Sequence, residues 1–205
     1  MTPKKILGRG AEAIIFLEKG FVIKDRIKKA YRIPELDDQI RKLRTRAEGK
    51  SLEKAGKVIS VPKVFKADEK EKKLTIEFIK GKKLSDSLDS FSLKEQKEIC
   101  KKIGNSTGKL HDSGIVHGDL TTSNMILKNK KVYFIDFGLS FNSPKYEDRA
   151  VDLHLLKQAL EAKHFQHWEV LFKEVSSEYK KASKEAEKTL VQFKEVEKRG
   201  RYKEH

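Results

Sequence analysis

Glycines and charged turns cut the first 80 residues into short strand-like runs around one helical stretch, whereas the chain after Gly138 carries little Gly or Pro and reads as helix. Strands are expected at Lys5 to Leu7, Ala13 to Leu17 and Phe21 to Lys24, with Gly20 in a tight hairpin turn. Pro34 then opens a helix in which Leu36, Ile40, Leu43 and Ala47 recur at intervals of four, three and four, ending near Gly56. Two further strands, Lys63 to Ala67 and Leu74 to Phe78, flank the charged turn Asp68 to Lys73. Ser92 with Glu95 three residues on predicts a capped helix running to about His111. After a loop at His117 to Asn124 come two strand-like runs, Met125 to Leu127 and Val132 to Ile135, then helices over 147–163 and 165–199. The fold class is α+β, a single domain over 1–205 with a β-rich lobe (1–80), a helical lobe (81–197) and a basic tail (198–205).

Several classes fall away. The longest apolar run, Ala13 to Leu17, is far short of the roughly 18 residues a membrane span needs. No apolar stretch follows the basic Met1 to Lys5, so no secretory core is expected and the chain reads as cytoplasmic, with no membrane partner. Cys100 is the sole cysteine, which excludes an internal disulfide, and its place among Ile99 and Ile103 marks it as a packer of the helix core. The formal net charge is +15, and residues 1–80 hold 22 basic against 12 acidic side chains. A second basic cluster, Lys198-Arg199-Gly200-Arg201-Tyr202-Lys203, closes the chain. Such clusters suit a polyanion, because each neutralised phosphate releases counterions, though a solvated lysine-rich surface has the same composition.

The chemistry concentrates in His117-Gly118-Asp119-Leu120-Thr121-Thr122-Ser123-Asn124 and, seventeen residues after Asp119, Asp136-Phe137-Gly138. Phosphoryl transfer asks little covalent work of a protein: one group orients the acceptor and metal ions neutralise phosphate charge. An Asp, an Asn five residues later and a second Asp at a strand end supply such groups, and their oxygens suit Mg²⁺. The two segments resemble the catalytic loop and metal-binding motif of the protein-kinase superfamily. That resemblance makes Asp119 the base or acceptor-orienting group, Asn124 and Asp136 metal ligands, and ATP with Mg²⁺ the cofactors. It also casts Gly8, Arg9, Gly10, Ala11, Glu12 and Ala13 as a phosphate loop, although Ala13 stands where a third Gly is usual. Lys24 becomes the phosphate-contacting strand lysine and Glu48 its helix partner, with Glu53 in reserve. Glu77, Phe78 and Ile79 become the hinge facing adenine, with Ile126 and Ile135 beneath it. His117 would brace the loop and Asp152 would anchor its backbone.

Ordinary Ser/Thr protein kinases carry Lys where Thr121 stands here, and neither an Ala-Pro-Glu motif nor a peptide-docking subdomain follows Gly138. His-Gly-Asp-Leu-Thr-Thr-Ser-Asn, the Tyr31 to Asp37 segment, Glu147 to Leu153 and Arg-Gly-Arg-Tyr together resemble the atypical kinase/ATPase subunit of the KEOPS complex, PRPK-like and more distantly related to RIO kinases. The resemblance implies ATP hydrolysis or Ser/Thr autophosphorylation in support of threonylcarbamoyladenosine synthesis on tRNA. The partners it implies are the threonylcarbamoyl-transferase subunit and a small subunit of the Cgi type. Lys198, Arg199, Arg201 and Lys203 would then contact tRNA phosphate, with Tyr202 stacking on a base. A small-molecule phosphotransferase also uses His-Gly-Asp followed by Asn, and a nucleotide-dependent scaffold needs the same cleft. His154, His164 and His167 lack carboxylate or Cys company at metal-site spacing and read as surface or packing residues.

Overall fold

The computed structural model describes residues 4–201. Five antiparallel strands, β1 (Lys5–Arg9), β2 (Ala13–Glu18), β3 (Phe21–Arg26), β4 (Val64–Asp68) and β5 (Lys73–Glu77), form one sheet in the order β1-β2-β3-β5-β4. β2 and β3 meet through Lys19 and Gly20, both at positive φ (50° and 82°), so this two-residue turn has the mirror-type geometry that matches strand twist.

Helix α1 (Pro34–Ala55) crosses this sheet, with Pro34 in its first turn where a missing N–H costs nothing. The residues at intervals of four and three form the helix but not its inner face: Leu36 and Leu43 are about half exposed (49% and 51%), and Ala47 is exposed too. The buried face is Asp37, Thr45, Glu48, Gly49, Leu52 and Ala55. The acids on this face have an electrostatic cause, since Arg26 and Arg32 meet Glu48 and Asp37 from outside the helix, while Gly49, Leu52 and Ala55 face apolar neighbours. Asp37 accepts from Arg41 Nε (2.7 Å) and the Lys29 amide (3.3 Å), and Glu48 accepts from two cations of β3, described below.

Past Gly81 the chain pairs β6 (Lys82–Lys83) with β8 (Met125–Lys128), which pairs in turn with β9 (Lys131–Phe134). A further short pair, β7 (Ile115–Val116) with β10 (Phe141–Asn142), is too brief to have left a periodic signal. The helices are α2 (Leu84–Ser87), α3 (Leu93–Asp112), α4 (Tyr146–Lys163), α5 (Trp168–Ala182) and α6 (Ala186–Arg201). α3 starts with the expected capping box, Ser92 and Glu95 bonding to each other's amides. α3 and α5 pack closely because Gly104 has no side chain: a Cβ there would overlap the Val175 carbonyl. Ile103, Leu110, Leu120, Phe134, Phe137, Leu156 and Val175 make a core that continues into the first lobe through Leu52 and Leu74.

The helix expected over 165–199 is two helices. Asp112, at the end of α3, accepts from Ser183 Oγ (2.7 Å) and the Lys184 amide (2.9 Å). The side-chain carboxylate thus offers the backbone an alternative to helix at Ser183, whose φ and ψ are extended. α6 then runs through Arg201, so Lys198 and Arg199 belong to a helix rather than to a tail starting at 198, and they pair with Glu195 (2.8 Å) and Glu147 (2.7 Å). Arg201 ends that helix, while Tyr202 and Lys203 lie outside the described residues. Among the described residues no helix is long and apolar enough to cross a membrane.

Candidate active site

Between the two lobes lies a cleft of two adjoining cavities. The inner one, 410 Å³, is lined by Leu7, Ile15, Val22, Ile76, Glu77, Phe78, Ile79, Ile126 and Ile135. Apart from a polar end at Lys24, Asn124 and Asp136 its walls are mostly apolar, with the backbone of 77–79 crossing at the junction of the lobes, which suits a flat heterocycle. The second, 310 Å³, is lined by Gly10 to Ala13, Lys24, Arg26, Arg44, Asp119, Asp136 and Leu139. Gly8 and Arg9 close β1, so the cleft-lining part of the glycine loop starts two residues later than its motif.

Lys24 sits where the cavities meet. Its Nζ donates to Glu48 Oε1 (2.8 Å) and Asp136 Oδ1 (2.6 Å). β3 brings Lys24 and Arg26 to one face, two residues apart, and α1 brings Glu48 against both, with Arg26 Nη2 donating to Glu48 Oε2 (2.5 Å). Burial pushes the Lys24 ammonium toward neutrality, but the Glu48 and Asp136 carboxylates outweigh it and raise its pKa. Asp136 responds oppositely: burial favours its neutral form, yet Lys24 and the Gly138 amide hold its carboxyl below the usual range. Asp136 itself stands in the left-handed region, φ 59°, a conformation that costs a non-glycine residue about 1 kcal/mol or more. Glu53, the reserve partner, is exposed.

Across the cleft, Asn124 Nδ2 donates to both Asp119 O (2.9 Å) and Asp119 Oδ2 (2.8 Å). With its amide nitrogen engaged by Asp119, the atom Asn124 offers a metal is its oxygen. Asn124 and Asp136 both line the inner cavity, and two oxygen donors beside room for phosphate and water fit the needs of Mg²⁺. Behind the loop, Asp152 accepts from the His117 amide (2.6 Å) and the Gly118 amide (2.9 Å), while His111 Nε2 lies 3.2 Å from the same carboxylate. Gly118 has φ +77°, and a Cβ there would overlap the Leu139 carbonyl, so only glycine lets the two segments touch. His117 bonds the Ile135 carbonyl through Nε2 (3.1 Å), which puts its proton on that nitrogen and leaves Nδ1 to accept from the Asp119 amide (3.3 Å). Burial lowers the His117 pKa, so the ring is a neutral brace.

The glycine loop is tied from outside. Glu12 pairs with Arg44 (2.6 Å) and Arg32 (3.3 Å), and the Lys29 ammonium donates to the Ala11 carbonyl. Burial, the largest single influence, raises the Glu12 pKa, but the Arg44 and Arg32 guanidinium groups together outweigh it and lower it. Sequence reasoning counted Arg26, Arg32 and Arg44 among the basic side chains of the first lobe and assigned them no role in this cleft. Arg26 was within reach, standing two residues after Lys24 on a strand, and Arg44 four before Glu48 on a helix. His164 takes the packing half of its expectation: it is buried, and its ring is also hydrogen-bonded to Thr122.

Comparison with known proteins gives the same direction. Residues 41–171 match the family described as the ABC1 atypical kinase-like domain. The chain is 43% identical to the KEOPS complex subunit Bud32 of Pyrococcus abyssi, over 98% of this chain and 97% of that one. It is 41% identical to a probable bifunctional tRNA threonylcarbamoyladenosine biosynthesis protein of Methanococcus vannielii and 38% identical to another of Methanosarcina mazei. In both cases the match covers 98% of this chain but only 36% of the longer protein.

Proposed function

The chain belongs to the family of the KEOPS complex subunit Bud32, with its atypical kinase-like domain, and from that premise we propose that it is a Mg-ATP-dependent ATPase and Ser/Thr-type phosphotransferase of the cytoplasm. Its work would serve threonylcarbamoyladenosine formation on tRNA, beside a threonylcarbamoyl-transferase and a small Cgi-type subunit. One observation carries the reading: Lys24 bridges Glu48 and Asp136 while Asn124 engages Asp119 opposite, so the phosphate-handling groups of both lobes converge on one cleft.

In this reading adenine occupies the apolar cavity against Ile126 and Ile135, its edge on the backbone of Glu77 to Ile79. The phosphates extend toward Lys24 and the loop Gly10 to Ala13, and Glu48 keeps Lys24 in place. Asn124 and Asp136 would hold Mg²⁺, which neutralises phosphate charge. Asp119 accepts a hydrogen bond from the acceptor hydroxyl or water, whose oxygen attacks the γ-phosphorus as the bond to ADP breaks, and the proton is taken up at Asp119. Arg199 and Lys198, with Arg201 and Lys203 beyond them, would offer cations to tRNA phosphate.

The test is phosphate release from Mg-ATP by wild type, Asp119→Ala and Asp136→Ala, alone and then with tRNA and the transferase subunit. Turnover that both variants lose, and that the complete assembly changes, supports the reading. Turnover equal in wild type and variants under every condition refutes it.

A further inference from the structure

We propose that His164 is a positioning residue for the loop carrying Asp119 and Asn124, acting through the relay Asp89–His164–Thr122; the proposal rests on the nucleotide-cleft reading above. His164 caps the C-terminal end of α4, with its ring buried. Its Nδ1 lies 3.0 Å from both carboxylate oxygens of Asp89, and its Nε2 lies 3.2 Å from Thr122 Oγ1. A carboxylate can only accept, so Nδ1 carries a proton, and in the neutral ring Nε2 presents its lone pair. Thr122 must then donate its one hydroxyl proton to Nε2, which fixes the rotor of a side chain buried within the loop.

Thr122 opens a single 3₁₀ turn, Thr122–Asn124, whose last residue donates to Asp119. Asp152 grips the loop at its other end through the amides of residues 117 and 118. The relay thus adds a hold at the Asn124 end of the loop, running from a half-exposed carboxylate, through one imidazole, to the residue two before Asn124. Packing alone gives no reason for this arrangement. Burying an imidazole and a hydroxyl costs free energy that apolar side chains of equal volume would avoid. Directional bonds do what such side chains cannot: they fix the rotation of the turn that presents Asn124 and Asp119 to the cleft, and small errors there are costly in phosphoryl transfer.

The deciding experiment compares Thr122→Val, which keeps the volume and removes the hydroxyl, with Asp89→Ala, which frees the ring at its half-exposed end. Steady-state ATP turnover, thermal midpoint and ¹⁵N spectra of the His164 ring and the Asn124 side-chain amide are recorded for each. The relay predicts a kcat lowered about tenfold in both variants with KM for ATP within about twofold. It also predicts a double variant no slower than the slower single one, wild-type Nδ1 protonation lost in Asp89→Ala, and a displaced Asn124 amide in Thr122→Val. Unchanged kcat in both variants, with the Asn124 resonance unmoved, overturns the proposal. Should wild type itself release no phosphate, the cleft reading fails separately, and the relay is decided by the spectra alone: a moved Asn124 resonance supports it and an unmoved one overturns it.

Discussion

Replacing Arg26 by Met removes one of the two cations on Glu48 without leaving a hole. Both partners are buried, and the 2.5 Å contact is the shortest that Glu48 makes. Breaking a buried pair from one side leaves the other charge uncompensated and costs about 3 to 5 kcal/mol. Two features place this case at the low end. Lys24 remains on Glu48, Arg26 Nε is already buried without a partner, and burial together with the Arg44 charge pulls the Arg26 pKa down despite its carboxylate neighbour. A loss of about 3 kcal/mol is expected, and for a chain of this size it corresponds to a thermal midpoint lowered by about 6 to 12 °C. Urea unfolding of wild type, Arg26→Met, Glu48→Leu and the double variant measures the coupling directly. The double variant should be clearly more stable than the sum of its singles, because it no longer buries a carboxylate short of partners. Strict additivity, within about 0.5 kcal/mol, would refute the idea that the pair acts as a unit.

Three other outcomes are expected. Gly104→Ala should cost about 1 to 3 kcal/mol in urea unfolding, since the new methyl must displace the Val175 carbonyl; an unchanged midpoint would mean that α3 and α5 part freely. Burial pushes the Cys100 thiol up to about 12, so a thiol reagent at pH 8 should label it only in denaturant, and prompt labelling of the native chain would contradict the packing. The Lys24–Asp136 pair sets a pH window. Asp136, held below its ordinary value of 3.8, contributes stability that is full above about pH 4 and drains as pH falls through its lowered pKa. Lys24, raised above 10.5, contributes stability that is lost only as pH climbs through its raised pKa. Asp136→Asn should therefore flatten the acid limb below about pH 4, and an acid limb parallel to wild type would show that the pair carries no such linkage.

Much of this molecule could be read before its structure was known, for identifiable reasons. Lys24, Asp119, Asn124 and Asp136 were picked out by their resemblance to kinase motifs, and the structure gathers all four around one cleft. Glu48 was preferred to Glu53 because it lies well inside the helical stretch rather than near its end, and it is Glu48 that accepts from Lys24. What escaped was decided by contacts distant in sequence. Asp112 breaks a helix some 70 residues away, and nothing in the uniformly helix-forming composition of 165–199 announces it. The inner face of α1 was hidden for the opposite reason, because periodicity assumes that apolar residues point inward, whereas here cations from β3 and the 29–32 segment drew acids inward instead. His164 looked idle because both of its partners, Asp89 and Thr122, lie more than 40 positions away.

The inverted face of α1 also means that its two ends are secured by different forces. Leu52 and Ala55 seat its last turns in the apolar core, an attachment that strongly excluded salts tighten. Its first turns hang on Asp37 with Arg32 and the Lys29 amide, a largely buried attachment that added electrolyte reaches only at the edge of Arg32. Glu48 lies between the two regimes. Rising ionic strength should therefore act unevenly on α1, leaving its C-terminal seat firm and weakening first the partly exposed Glu12–Arg44 pair that ties the glycine loop to it.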